Sequence, residues 1–235
     1  MSKPAFAFKK FTVRQDKCSM KINTDSVLIG AWADVSNAKK ILDIGTGTGI
    51  IALMLAQRSN AKIDAIDIDG DSCLQAQLNF EESDWKKRLK AHHSSLQKFS
   101  AKEKYDVIIS NPPYFPCPNT HKEKKGAQAR YTHELSFEEL ADCVVRLLTN
   151  KGSFYVILPI HEGAYFTNVA EKKDLFLTNY VWVKTTHRKK FPKRILMQFE
   201  FFKKEIQDDK LLVIQGDNHY TDDYKAMTKD YFLKF

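Results

Sequence analysis

Asp43-Ile44-Gly45-Thr46-Gly47-Thr48-Gly49 is the stretch whose reading decides the fold. It continues the apolar run Lys40-Ile41-Leu42-Asp43-Ile44, which reads as a buried strand, and it opens the helical run Ile50-Ile51-Ala52-Leu53-Met54-Leu55-Ala56. Glycines let a backbone turn tightly and admit a ligand where a Cβ would clash. A dinucleotide fingerprint would read G-x-G-x-x-G and seat a pyrophosphate at the helix N-terminus. Here the third glycine comes one residue early and Ile50 takes its place. The acid Asp43 ahead of the turn suits a ligand with a cationic amino group better than a diphosphate. The competing reading is an ordinary glycine-rich strand-to-helix turn.

Working outward, Lys62 to Asp67 is a second strand, and Asp67 closes it about 20 residues past the glycines, where an acid can accept both ribose hydroxyls of an adenosyl group. Asp69 is close by, so choosing Asp67 rests on its strand-end position. Ser72 to Phe80 carries apolar positions at helical spacing, Tyr105 to Ile109 is a short strand, Phe137 to Leu148 a helix and Phe154 to Leu158 a strand. Tyr180–Val183 and Ile195–Phe202 read as a last strand pair around a basic loop. Leu211–Ile214 is a candidate extra edge strand, and Tyr224–Leu233 a closing helix. Repeated βα units predict an α/β fold, a mainly parallel sheet with helices on both faces and ligands at the carboxyl strand ends.

The bulk numbers bound the rest. The 235 residues suit one domain, and 43% hydrophobic residues can fill a core. No apolar run approaches the roughly 18 residues of a membrane span, and the start lacks a signal-peptide pattern, so a cytoplasmic protein is expected. Cys18, Cys73, Cys117 and Cys143 lack metal-ligand or disulfide spacing, so no metal is expected. The net charge of +8 fits a polyanionic partner without requiring one.

Ser110-Asn111-Pro112-Pro113-Tyr114 follows the Tyr105–Ile109 strand. An amino nitrogen on an aromatic base is a poor nucleophile because its lone pair is delocalised. An amide oxygen and a main-chain carbonyl can grip its two N–H groups and turn the lone pair towards an electrophile. Asn111 and Pro112 supply these acceptors, Pro112 and Pro113 stiffen the turn, and Tyr114 can stack on the base. The bland alternative is a surface turn, since N-P and P-P are turn dipeptides.

D-x-G-x-G-x-G after a strand resembles the first motif of class I methyltransferases, and with N-P-P-Y it is similar to those that methylate the amino groups of adenine, guanine or protein glutamine. Cys18 to Ala33, with Thr24 and Asp25, and Gln128-Ala129-Arg130-Tyr131-Thr132 extend the likeness over nearly the whole chain. They resemble the bacterial tRNA(Val) adenine-N6 methyltransferase family. That resemblance implies a Rossmann-like, seven-stranded domain using S-adenosylmethionine. It implies a covering segment over 1–36, a catalytic core over 37–205 and an appendage over 206–235. Asp43, Gly45, Gly47, Gly49, Asp67, Ile68 and Asn111 are implied at the cofactor, with Thr24 and Asp25 near its methionine part. One departure is that the family commonly has an acid after the third strand, and here matching from His92-His93 leads to Ser95, a weaker acceptor.

An RNA substrate needs a basic track. Arg188, Lys189, Lys190, Lys193 and Arg194 flank Phe191-Pro192, and Lys124, Lys125 and Arg130 lie in the long segment after the catalytic turn. These runs are expected to contact phosphates. The implied partner is the anticodon arm of tRNA(Val), with the adenine beside the anticodon as target, no membrane, no obligate protein partner and a monomer. Guanine N2 in rRNA, adenine in DNA and protein glutamine stay open as substrates. So does a non-catalytic cofactor-binding RNA chaperone, which the intact Asn111–Tyr114 turn disfavours.

Overall fold

The computed structural model describes residues 5–18, 20–113, 135–206, 210–217 and 219–234. Two short strands, β1 (Ala5–Ala7) and β2 (Thr12–Arg14), pair antiparallel ahead of helix α1 (Thr24–Trp32). The alternating body follows: β3 (Lys40–Ile44), α2 (Ile50–Arg58), β4 (Lys62–Asp67), α3 (Gly70–Glu81), β5 (Leu89–His93), β6 (Tyr105–Ser110), α4 (Phe137–Leu147), β7 (Leu148–Pro159), α5 (Ile160–Glu171), β8 (Phe176–Thr186) and β9 (Arg194–Glu200). Strand β10 (Lys210–Gln215) and helix α6 (Asp222–Thr228) complete the described elements.

One sheet runs β10-β8-β9-β7-β6-β3-β4-β5. Only β9 is antiparallel to its neighbours β7 and β8, and the other pairings are parallel. Among the described residues this sheet has eight strands, not the seven expected, because β10 adds parallel to the outer edge of β8. Burying Leu212 against the core fixes that edge strand, while Leu211 beside it stays half exposed. The closing helix begins at Asp222 and ends at Thr228, earlier than expected, with Thr221 capping it through Tyr224 N–H.

Strand alternation divides the core into two faces. Ile41 in β3, with Tyr155 and Ile157 in β7, joins the core under α1, α2 and α3. Leu42 and Ile44, with Phe154, Val156 and Leu158, join the core under α4 and α5. Helix α5 has no clear sequence signal, because Gly163 interrupts it and glycine is a weak helix former. The structure needs that glycine: a Cβ there would lie 2.7 Å from Ile195 Cγ2. The chain ends meet as well, with Lys9 N–H donating to Tyr231 O at 2.8 Å and Phe8 stacking on Phe11 and Phe232. Among the described residues no helix is long and apolar enough to cross a membrane.

Strand order reverses at β3, whose neighbours β4 and β6 lead in opposite directions. The crevice beyond the carboxyl ends of such strands is where an open α/β sheet receives ligands.

Candidate active site

Gly45, Gly47 and Gly49 take φ of +69°, +53° and +81°, a region that side chains other than glycine rarely adopt. Gly45 and Thr46 donate their amides to Ile66 O at 2.9 and 3.0 Å, which folds the turn back on the end of β4. A Cβ on Gly45 or Gly47 would meet nothing within 4 Å, because these two glycines face open space. Gly49 has a different task. It starts α2, and a Cβ there would lie 2.6 Å from Phe80 Cε1.

Asp67 stands opposite the turn. Its Oδ2 accepts from Gly47 N–H at 2.8 Å and its Oδ1 from Asp69 N–H at 2.9 Å. Burial pushes the carboxyl up from its ordinary value, and the Asp69 and Gly47 amides pull it back. Asp69 also reaches the crevice, but its carboxylate caps α3 by accepting from Ser72 N–H at 3.1 Å and Ser72 Oγ–H at 2.7 Å. Asp67 is therefore the acid preset towards the crevice.

The crevice is walled by the ends of four adjacent strands. Gly45 and Gly47 follow β3, Asp67, Ile68, Asp69 and Ser72 follow or end β4, Ser94, Ser95, Leu96 and Gln97 follow β5, and Ser110, Asn111, Pro112 and Pro113 end or follow β6. Among the described residues, Ile44, Ile66, Met20 and Leu135 also line it. Ser110 Oγ–H donates to Ile44 O at 3.0 Å and ties the β6 end to the β3 end. Asn111 Nδ2 donates to Ser26 Oγ at 2.9 Å and to Asn23 Oδ1 at 3.4 Å, so the amide turn is fastened to the start of α1.

Gly45, Gly47, Asp67, Ile68, Ser95, Asn111, Pro112 and Pro113 thus come together on one crevice. Four residues implied at the cofactor do not line it. Asp43 lies fully buried behind the turn, on the α2 face that strand alternation dictates. Its Oδ2 accepts from Thr46 Oγ–H at 2.6 Å, and its Oδ1 has no hydrogen-bond partner. Burial pushes this carboxyl up to about 7, with Thr46 and the Ala52 amide opposing and the Asp67 charge reinforcing the shift. Gly49 faces Phe80, Thr24 begins α1, and Asp25 pairs with Arg194.

The basic loop joins β8 to β9. Because β8 is parallel to the central strands in direction, its loop lies on the same edge as the crevice. Lys193 N–H donates to Val183 O at 2.8 Å and closes the hairpin. Phe191 at its tip is 70% exposed, with Lys190 Nζ 5.2 Å from the ring centroid. Arg188 reaches Asp217 at 3.2 Å, and Arg194 is held inward by Asp25. Tyr114, Lys124, Lys125 and Arg130 lie outside the described residues. No group of three or more His, Cys, Asp or Glu side chains among the described residues could hold a metal ion.

Residues 18–166 match the family model described as the methyltransferase small domain. The tRNA1(Val) (adenine(37)-N6)-methyltransferase of Bacteroides fragilis is 41% identical, with all of both chains covered. That of Trichodesmium erythraeum is 43% identical, with 98% of each covered. The chain belongs to this family. Its fold is that of class I methyltransferases: a solved structure of a predicted O-methyltransferase from Agrobacterium tumefaciens superposes with a TM-score of 0.67 at 15% identity, over 88% of this chain and 96% of that one. Within this methyltransferase family frame, sequence reasoning missed Ser26, Asn23 and Gln97. Asn23 is a favoured N-cap residue and could have marked the helix start, but the contact of Ser26 with Asn111 spans 85 residues in sequence and only the fold reveals it.

Proposed function

We propose that this protein moves the methyl group of S-adenosylmethionine to the exocyclic N6 amine of the adenine beside the anticodon of tRNA(Val). The observation that carries the reading is the placement of the Asn111–Pro113 turn across one crevice from Asp67 and the open glycines Gly45 and Gly47. The crevice suits the cofactor chemically. Asp67 offers a charged acceptor to ribose hydroxyls, the two glycines leave room for close backbone approach, and Ile68 and Leu96 give apolar surface for a purine. Ser95, on the crevice wall after β5, is assigned as the acceptor for the adenine amine.

When bound, S-adenosylmethionine supplies an electrophilic methyl on a sulfonium. Asn111 Oδ1 and the Pro112 carbonyl accept the two N–H bonds of the adenine amine and turn its lone pair out of the ring. Transfer of that methyl to the nitrogen held by Asn111 and Pro112 would leave the electron pair of the broken carbon–sulfur bond on the departing thioether. The nitrogen, now cationic, sheds one proton to solvent, so no strong base is required. Pro112 and Pro113 keep the acceptors preset, and Tyr114 is assigned to stack on the base. Residues 1–36 are assigned as a cover to the core of 37–205 and residues 206–235 as an appendage, whose helix α6 packs on α1.

Arg188, Lys189, Lys190 and Lys193 on the crevice edge, with Lys124, Lys125 and Arg130, are assigned to the phosphates of the anticodon arm. The target must leave its stack, which costs least in a single-stranded loop. Incubating the protein with methyl-labelled cofactor and unmodified tRNA(Val), then digesting to nucleosides, tests the reading. N6-methyladenosine is the expected product. Label in methylguanosine, or in protein only, would contradict it.

A further inference from the structure

The acceptor role given to Asn111 works only in one of two amide orientations. With Oδ1 towards the base, the amide accepts from the amine. Rotated by half a turn, it would set a donor against a donor and push the base away.

The first turn of α1 decides between them. Ser26 N–H donates to the Asn23 side chain at 2.9 Å, and a backbone N–H can only donate, so the Asn23 atom at this point is its oxygen. That same oxygen lies 3.4 Å from the Asn111 amide, and of the two ends of that amide only the nitrogen carries hydrogens to donate to it. The end of Asn111 facing α1 is therefore Nδ2. Ser26 Oγ, on a residue only 8% exposed, takes the same Nδ2 at 2.9 Å. Both part-buried contacts engage Nδ2, which leaves Oδ1 as the end turned to the crevice that Asn111 lines.

We infer that Ser26 is a positioning residue for methyl transfer. Together with the Asn23 cap it selects the amide orientation in which Asn111 can hold the amine. The inference rests on the reading of Asn111 given above. Neither Ser26 nor Asn23 lines the crevice, so both act through Asn111 and not on the cofactor.

The test is Ser26→Ala beside Ser26→Thr, with the parent assayed on unmodified tRNA(Val). Loss of the hydroxyl is expected to lower kcat on the order of tenfold. The tRNA KM and the Kd for S-adenosylhomocysteine should stay within about twofold, since Ser26 is buried and does not line the crevice. Ser26→Thr keeps the hydroxyl and should recover kcat towards the parent. Asn23→Gly keeps a tolerated cap residue while removing the second acceptor, and should likewise lower kcat at unchanged KM. Parent-like kcat in both Ser26→Ala and Asn23→Gly would overturn the inference. So would a fall in kcat matched by equal losses in cofactor binding and thermal midpoint, which is the signature of a merely structural side chain. A parent enzyme that methylates no adenine would instead overturn the functional reading.

Discussion

Arg194 Nε donates to Asp25 Oδ2 across 2.8 Å, and this half-buried ion pair joins the first turn of α1 to the first residue of β9. The same turn holds Asn111 through Asn23 and Ser26. The basic loop on the substrate edge and the amide that is to hold the base therefore share one anchor. The pair also removes Arg194 from the group of outward cations and gives Asp25 a partner other than the cofactor.

Asp25→Ala leaves Arg194 with a broken, partly buried contact and costs about 1–2 kcal/mol of stability. We expect a lower thermal midpoint and a raised tRNA KM, with the Kd for S-adenosylhomocysteine within about twofold in calorimetry. A cofactor Kd weakened about tenfold or more would place Asp25 at the methionine end of the ligand instead.

Asp67→Ala removes a charged acceptor already oriented by two amides, and cofactor affinity should fall about 10- to 100-fold. The pH dependence has a definite sign. Only the carboxylate can accept both ribose hydroxyls, and burial raises its pKa, so affinity holds above that pKa and declines as pH falls through it. Calorimetry across pH checks this, and affinity that rises towards acid would contradict the ribose assignment.

Asp43 makes the opposite contribution to folding. Its pKa rises from the ordinary carboxylate value to about 7 in the folded chain, so the folded state binds the extra proton between those limits. The stability this group provides is complete below its unfolded pKa and is lost as pH rises through about 7. Asp43→Asn should therefore raise the thermal midpoint at pH 8, measured calorimetrically, and change it little near pH 4. Destabilisation at pH 8 would mean that the Thr46 hydroxyl and the Ala52 amide more than offset the burial of the carboxylate.

Lys189→Glu with Lys190→Glu should raise the tRNA KM and reduce the salt dependence of RNA binding by about one slope unit per lysine lost. Filter-binding titrations across salt concentrations measure it. Equal slopes in parent and variant would remove the β8–β9 loop from the RNA footprint.

Much of this was legible in the sequence because the signals are local. Three glycines and an acid specify the turn after β3, and an acid closing the next strand specifies Asp67, since both sit within one βα unit. Asn111 and Pro112 were legible because their chemistry is carried by adjacent residues. The pairing of β10 was harder, because the short apolar run Leu211–Ile214 does not say which edge it joins. Helix α5 was obscured by Gly163, whose close approach to Ile195 overrides helix propensity. Asp43 looked available to a ligand until strand alternation placed it on the α2 face. Ser26 and Asn111 are brought together by tertiary packing alone, so periodicity carried no trace of their contact.

The central claim is that the Asn111 amide makes the amine reactive and does not merely shape the cofactor crevice. Asn111→Ala, assayed with methyl-labelled cofactor and unmodified tRNA(Val) alongside calorimetry with S-adenosylhomocysteine, tests it most directly. The account predicts that transfer is lost while the cofactor still binds within about tenfold of the parent. Turnover at the parental rate would contradict it.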